Sequence, residues 1–314
     1  EIEPARAGST LEVAGFFIVS GSATAIGNSA GLFAYHRATR ANYTITARTA
    51  DGTGSGWASA DGTAWGTLDI AGASRRAIDK ALRSRRPVAI EPGRYTVILE
   101  PTAVGDLVGL LPRYFQARSA DEGRSPFSKR GGGTRVGEAI VSPLVTLASD
   151  PADATVLAAP FDGDGLPLRR QTWVDAGRLA QLQYSRAWAA KQGKEPTGGA
   201  SSLIMTGGTQ TTEQLIASTA RGILVTRLWY LREVDPRTAL HTGLTRDGTF
   251  LIENGKVTKS IKNMRFNESP LFLLNNIDAL GPTQRVGDGD GGPVAVMPTV
   301  KARDFNFTSL SDAV

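Results

Sequence analysis

The 314-residue sequence contains no cysteine and only two histidines, His36 and His241. The chain can therefore form neither disulfides nor thiolate–metal bonds. Any mechanism that needs an imidazole must use one of the two histidines. No run of eighteen apolar residues is present, so the sequence predicts no membrane-spanning segment.

The composition is that of an ordinary globular protein, with 41% hydrophobic and 21% charged residues. Its length allows two domains or one large one, with a sizeable core. The net charge of +5 raises the question of nucleic-acid binding. However, the arginines lie in short groups such as Arg75-Arg76, with no aromatic-interleaved basic stripe and no recognition-helix motif. This pattern favours a solvated surface over a nucleic-acid interface.

The segment Tyr95–Phe115 predicts a strand that runs directly into a helix. Residues alternate in character up to Leu99, as in a strand, and Pro101 suits a first helical turn because it has no backbone N–H to lose. Apolar residues then recur at three- and four-residue steps, as in an amphipathic helix. The polar residues at the junction, Thr102 and Asp106, are a poor set of reactive groups. A plain strand–helix unit without chemistry also describes the segment.

This segment resembles the TldD/PmbA family, whose TldD-type members carry a His-Glu-x-x-x-His zinc motif on the equivalent helix. Aligning the shared Ala-Val-Gly with residues 103–105 puts Pro101 and Asp106 at the histidine positions and Thr102 at the glutamate position. Proline cannot bind zinc, threonine is no base at neutral pH, and a single aspartate does not make a zinc site. The chain therefore resembles the PmbA (TldE) type, which lacks the zinc motif, and the resemblance implies no metal site here.

Other stretches extend the resemblance over residues 12 to 307: residues 25–40, the Gly-Ser-Gly-Trp sequence at 54–57, and residues 242–256. TldD-type members also supply a cysteine ligand near the C-terminus, which the region Val286–Gly292 cannot provide. The resemblance implies an α+β fold with extensive antiparallel β-sheet flanked by helices. It divides the chain into a sheet-rich region with one helix (1–92) and a C-terminal domain (93–314). The family's N-terminal domain is expected to be largely missing from this chain.

Periodicity and turn residues predict the remaining elements. Asp247-Gly248 and Asn254-Gly255 are predicted hairpin turns within a meander. The polar segment Ala117–Gly137 is predicted to be a long loop that covers a cleft. The predicted helices are Ser74–Arg86, Asp175–Gln192, Thr212–Ala217 and Glu268–Leu280, and the predicted strands include Ile223–Leu231 and Val294–Phe307.

The candidate substrate-binding residues lie in two of these segments. His241, Thr242 and Arg246 lie near strand ends, where they could contact a peptide, although turn formation alone explains most of that stretch. Ser128 and Arg130 lie in the long polar loop. No catalytic residue and no metal ligand is assigned.

The resemblance implies a non-catalytic subunit that forms a heterodimer with a zinc-bearing TldD-type subunit. The complex is expected to cleave peptides or unfolded segments in the cytoplasm. This chain would need no cofactor, since zinc belongs to the partner, and it would bind neither nucleic acid nor membrane. Two alternatives remain open: a peptide-binding module that acts alone, and an enzyme with an unrecognised metal site built from Asp106, His36 or His241.

Overall fold

The computed structural model describes residues 11–156, 158–287 and 294–311, which form a three-stranded and a thirteen-stranded sheet with short flanking helices. The helices are α1 (Ile70–Arg83), α2 (Pro101–Val108), α3 (Ala117–Asp121), α4 (Arg186–Gln192), α5 (Thr212–Ala217) and α6 (Pro270–Asn275). The strands are β1 (Leu11–Gly27), β2 (Phe33–Thr49), β3 (Ser55–Gly62), β4 (Gly93–Leu99), β5 (Leu147–Ser149), β6 (Gln171–Asp175), β7 (Arg178–Leu179), β8 (Leu203–Met205), β9 (Arg221–Val225), β10 (Leu228–Asp235), β11 (Leu240–Thr245), β12 (Thr249–Glu253), β13 (Lys256–Ser260), β14 (Met264–Glu268), β15 (Ile277–Val286) and β16 (Ala295–Leu310). No helix in these ranges is both long and apolar enough to cross a membrane.

The small sheet is a long hairpin, β1–β2, with β3 added to its second strand. The hairpin register runs from Leu11 opposite Thr49 to Gly27 opposite Phe33 without interruption. Helix α1 covers the base of this sheet with three fully buried alanines: Ala73, Ala77 and Ala81. The approach is close: a Cβ at Gly56 would lie 2.1 Å from the Ala77 carbonyl oxygen.

Beyond the helix the hairpin carries exposed aromatic side chains, including Phe16 and Phe33. Its tip nevertheless contacts the rest of the molecule. A Cβ on Gly165 would lie 2.4 Å from Leu32 Cδ2, so the tip packs against the turn that contains Gly165.

The large sheet is organised around β16. Its main path has the order β13-β12-β9-β4-β16-β8-β5-β6-β7; β16 also pairs with β14 and β15, and β11 joins β14 to β10. Among the paired strands of the described ranges, only β4–β9 and β8–β16 are parallel. The predicted α+β fold with extensive antiparallel sheet and flanking helices is therefore confirmed.

Buried ion pairs join the small sheet to the large one. The Asp61 carboxylate on β3 pairs with Arg40 at 2.9 Å and with Arg285 on β15 at 2.5 Å, and the Asp61 side chain is only 1% exposed. Lys80 of α1 reaches Glu100, which precedes α2, at 2.6 Å. These contacts fix the small sheet beside the N-terminus of α2.

Several predicted elements have the bounds that their sequence signals indicate. Helix α5 coincides with the predicted Thr212–Ala217, and Thr211 and Gln214 form a reciprocal capping box at its start. Asn254 and Gly255 have positive φ values of 51° and 74° and join the paired strands β12 and β13, as a hairpin turn requires. The last predicted strand corresponds to β16.

The predicted helix Asp175–Gln192 is wrong over its first half. Ala176 and Gly177, both with positive φ, form a turn between the paired strands β6 and β7. The helix begins only at Arg186. Ser185 caps its N-terminus, because the Ser185 side chain accepts a hydrogen bond from the Trp188 N–H. The apolar spacing predicted one helix because buried residues of the β6–β7 hairpin and of helix α4 follow one another at intervals that resemble a helical repeat.

Three further predictions of the chain path need correction. The strand Ile223–Leu231 is divided into β9 and β10 at residues 226–227, and the helix Glu268–Leu280 is only α6, after which the chain enters β15. Residues 277–286 extend because they pair with β16. Asp247-Gly248 is a turn but not a hairpin, because β11 and β12 pair with different neighbours.

The first half of the predicted loop Ala117–Gly137 is packed against the core and does not lie loosely over a cleft. It begins with α3, and Phe127 is fully buried. The Phe127 ring stacks on Phe115 at 5.6 Å, and Phe115 stacks on Trp173 at 5.3 Å between centroids. This aromatic column anchors the segment to the core, so it is not a free lid.

Candidate functional site

Thr102 and Asp106, two of the three residues at the motif positions, line a cleft of about 560 Å³ between the two sheets. Helix α2 contributes Thr102 and Asp106, and the chain from Arg227 to Leu231 forms a second wall. Val286 and Gly287 also line this cleft, so the two sequence regions that carry the resemblance meet there. Residues 288–292, the rest of the region compared with the cysteine ligand, lie outside the described residues.

The start of α2 is organised by packing and not by reactive groups. Pro101 occupies the first helical position and is buried, while Ala103, Val104 and Leu107 face the core. Glu100, the carboxylate nearest to this helix start, is held by Lys80. Its oxygen therefore serves the contact between α1 and α2.

Asp106 connects α2 to the second wall of the cleft. Its Oδ2 accepts a hydrogen bond of 2.8 Å from the backbone N–H of Leu228, the first residue of β10. Leu228 is only 2% exposed, so its N–H has little access to water. The Asp106 carboxylate therefore satisfies a backbone donor at the point where β9 ends and β10 begins.

An arginine between two tryptophans forms the rim of the cleft. The guanidinium of Arg227 lies 4.3 Å from the Trp57 ring centroid and 4.8 Å from that of Trp229, distances typical of cation–π contacts. Arg227 also pairs with the buried carboxylate of Asp247 at 3.0 Å. In turn, Ser55 donates a hydrogen bond of 2.5 Å to Asp247. Reasoning from sequence missed this group; the tryptophan in Gly-Ser-Gly-Trp was its only signal.

Two polar features of the cleft are available to a ligand. The hydroxyl of Ser202 lines the cleft, is buried, and has no hydrogen-bond partner among the described residues. Strand β10 pairs only with β11 in the described structure, so its other side is a sheet edge. Residues Trp229–Leu231 of this edge strand line the cleft, and Tyr230 has a positive φ of 56° within a bulge.

His241 does not reach the surface, contrary to its predicted contact with a peptide. It is 1% exposed on β11, its Nδ1 lies 2.9 Å from the Ala239 carbonyl oxygen, and its Nε2 lies 3.3 Å from the Tyr114 hydroxyl. Burial lowers the pKa of His241, which favours the neutral imidazole. Tyr114 donates to Glu233 at 2.6 Å, and burial followed by this hydrogen bond raises the pKa of Tyr114.

The other candidate substrate contacts are dispersed. Thr242 donates to the Phe266 carbonyl oxygen at 3.1 Å, and Ser128 donates to the Ala120 carbonyl oxygen at 2.7 Å, so both hydroxyls stabilise the fold. Arg130 is exposed in the segment after α3. Arg246 alone adjoins the cleft, because its guanidinium lies 5.2 Å from the Trp229 ring centroid. The structure therefore does not bring these candidates together at one site.

The residues at the motif positions do not fit a zinc ion. Zinc requires about three nitrogen, sulfur or oxygen ligands at one point, and Pro101, Thr102 and Asp106 offer one carboxylate that already accepts from Leu228. Within the described ranges no group of three His, Cys, Asp or Glu side chains is arranged to hold a metal ion. The alternative site built from Asp106, His36 and His241 is thus not assembled in this part of the chain.

Comparison with known families identifies the family of this chain. The sequence model of the PmbA/TldA metallopeptidase C-terminal domain matches residues 92–309, and that of the central domain matches residues 1–85. The chain belongs to the PmbA/TldD metallopeptidase family. A protein described as a metalloprotease from Methanothermobacter thermautotrophicus is 27% identical over 251 residues, which cover 70% of this chain. The matched part is 52% of that relative, so the chain spans about half its length.

Solved structures share the fold at low sequence identity. A putative modulator of DNA gyrase from Thermotoga maritima has a TM-score of 0.85 at 20% identity, covering 98% of this chain and 72% of that one. TldE from Thermococcus kodakarensis gives a TM-score of 0.85 at 22% identity with the same coverages. Likeness at these identities shows the fold alone.

Proposed function

We propose that this chain is a non-catalytic, peptide-binding subunit that pairs with a zinc-bearing TldD-type subunit. The resulting heterodimer hydrolyses peptides or unfolded segments in the cytoplasm, and the zinc and the general base come from the partner. This chain closes the reaction chamber and holds an extended substrate. It uses no cofactor of its own.

This proposal is carried by one observation: the side chains at the motif positions Pro101 and Asp106 make structural contacts. In place of ligands and a base, the motif positions hold a buried proline, a threonine that lines the cleft, and an aspartate whose carboxylate accepts a hydrogen bond from the Leu228 N–H. A catalytic zinc needs about three protein ligands together with an open position for water. Asp106 offers the single carboxylate among these three positions, and its Oδ2 is occupied by the Leu228 N–H.

The remaining features of the cleft suit an extended peptide. An edge strand offers main-chain donors and acceptors to a peptide that adds beside it, and β10 has such an edge where Trp229–Leu231 line the cleft. The buried hydroxyl of Ser202 would gain a hydrogen bond from a bound peptide group. The tryptophan–arginine rim supplies large, rigid contact surfaces for substrate side chains.

The test is metal analysis and peptide cleavage with this chain alone, with a TldD-type partner alone, and with their mixture. All samples are purified without chelators. We expect zinc in the partner and in the mixture, and rapid cleavage only in the mixture. The triple variant Pro101→His, Thr102→Glu, Asp106→His should still lack stoichiometric zinc, because the third ligand remains absent.

Two outcomes would contradict the proposal in different ways. About one zinc per molecule of this chain, with cleavage that Asp106→Ala abolishes, would make it a catalytic subunit. Peptide binding without any association with a TldD-type partner would instead identify a binding module that acts alone.

A further inference from the structure

A second cavity adjoins the cleft at the far end of β10. This arginine hollow, of about 490 Å³, is lined by Arg113, Arg124 and Arg237, and Glu233 is the only carboxylate in its lining. The Glu233 carboxylate accepts a hydrogen bond of 2.6 Å from the Tyr114 hydroxyl, and its single negative charge stands against three guanidinium groups. The lining of the hollow therefore carries an excess of positive charge.

The arginines differ in how far their charge is compensated. Arg124 pairs with Glu122. The side chains of Arg113 and Arg237 are exposed and make no hydrogen bond or ion pair within the described parts of the chain. Two guanidinium groups are thus available to an anionic ligand, and guanidinium binds carboxylate in a bidentate geometry.

The hollow adjoins the cleft through two shared features. Arg113 lines both cavities, and β10 runs along both, with Trp229–Leu231 in the cleft and Glu233 in the hollow. Trp229 and Glu233 are four positions apart on β10, which is at most about 13 Å at the usual rise of a strand, because the bulge at Tyr230 shortens this stretch. A peptide that pairs with the edge of β10 in the cleft would therefore reach the hollow within a few residues.

We propose that the arginine hollow binds a carboxylate of the peptide that lies along β10. This inference rests on the proposed function, since it assumes a peptide in the cleft. The carboxylate is either the C-terminus of the peptide or an acidic side chain near its end. The site makes this chain a selector of substrate charge, because an anionic end would give Arg113 and Arg237 the hydrogen-bonded ion pair that their side chains lack among the described residues.

The test compares three short fluorescein-labelled peptides of alternating valine and threonine, measured by fluorescence anisotropy with the whole chain. One has a free C-terminal carboxylate, one is amidated, and one is amidated with glutamate as its last residue. We expect the free acid, the glutamate peptide, or both to bind about tenfold more tightly than the neutral amide. Whichever of the two shows the preference identifies the source of the carboxylate.

Variants locate the effect. Arg237→Gln should remove most of the preference while leaving the affinity for the neutral amide unchanged, because Arg237 lines the hollow and not the cleft. Arg113→Gln should also remove most of the preference, measured as the ratio of the two affinities, since Arg113 lines the cleft as well. Arg186→Gln is the matched control, because Arg186 is exposed on α4 and lines neither cavity. High salt should weaken the preference in the wild-type protein, as expected for an exposed ionic contact.

The outcomes separate this inference from the proposed function. Equal binding of all three peptides would overturn the arginine hollow as a carboxylate site and leave the peptide-binding role intact. A preference that survives both arginine substitutions would also overturn it. Failure of every peptide to bind would refute peptide binding by this chain, and the inference with it.

Discussion

Replacing Asp106 tests whether its carboxylate is a structural acceptor. In the structure it holds the N–H of Leu228, which begins β10 and lies almost entirely out of water. Asp106→Ala leaves this buried donor without its acceptor. Asp106→Asn keeps a side-chain oxygen that can still accept the same hydrogen bond, so it separates the loss of charge from the loss of the acceptor.

The expected magnitude follows from the type of hydrogen bond. Bonds to a charged group contribute about 1.5 to 3 kcal/mol, whereas a neutral bond contributes about 1 kcal/mol. Asp106→Ala should therefore lower the free energy of unfolding by about 1.5 to 3 kcal/mol, and Asp106→Asn by about half as much. With an unfolding entropy of about 2.1 cal/mol/K per residue, the alanine variant should lose about 2 to 4 °C in Tm if the chain unfolds cooperatively.

Urea unfolding and calorimetry measure these values, and zinc analysis accompanies them. Asp164→Ala is the control, because Asp164 is an exposed aspartate in a turn and its substitution should change stability little. An alanine variant as stable as this control would refute the structural role of the carboxylate. Loss of bound zinc in either Asp106 variant would show that the residue is a metal ligand.

Three further changes test other parts of the structure. Burial raises the pKa of Glu268 from 4.5 to about 7, so the folded state binds a proton more tightly than the unfolded state. The free energy of unfolding should therefore fall as pH rises between these values, by at most about 3 kcal/mol. Glu268→Gln should remove this pH dependence, measured by urea unfolding. An unchanged profile would contradict this. Arg227→Ala should cost about 3 kcal/mol in urea unfolding, because it leaves Asp247 buried without its nearest guanidinium. Arg227→Lys keeps a positive charge and should cost less; equal losses would argue against the ion pair with Asp247 as the cause. Asp61→Asn should lower the free energy of unfolding by a similar amount and increase hydrogen exchange in β15. Unchanged exchange would show that the ion pairs of Asp61 do not fix the small sheet.

The division of the apolar run at residues 223–231 shows where sequence reasoning reached its limit. The run contains no glycine or proline after Gly222, so local signals predict one continuous strand. The chain turns there because Asp106, 122 positions away, accepts the N–H of Leu228, and because Thr226 donates to the Asp247 carbonyl oxygen. Both contacts are long-range and leave no periodic pattern in the sequence.

The rim of the cleft and the arginine hollow are also formed by residues that lie far apart in the sequence. Trp57 and Arg227 lie 170 positions apart, and only the docking of the small sheet brings their side chains together. Arg113 and Arg237 are likewise distant in sequence and meet because β10 ends beside the turn that follows α2. Single exposed arginines in a sequence do not reveal which of them will share a cavity.

The sequence by itself determined the features that depend on neighbouring residues. Pro101 at the helix start, the capping box at Thr211 and the turn at Asn254-Gly255 follow from local backbone chemistry. The resemblance that places Pro101, Thr102 and Asp106 at the motif positions also needs no coordinates. Only the tertiary structure decided that Asp106 holds a backbone donor, that His241 is buried, and that β10 offers an edge between two cavities. These features depend on contacts between residues far apart in the chain, which burial and sheet pairing select only once the whole chain has folded.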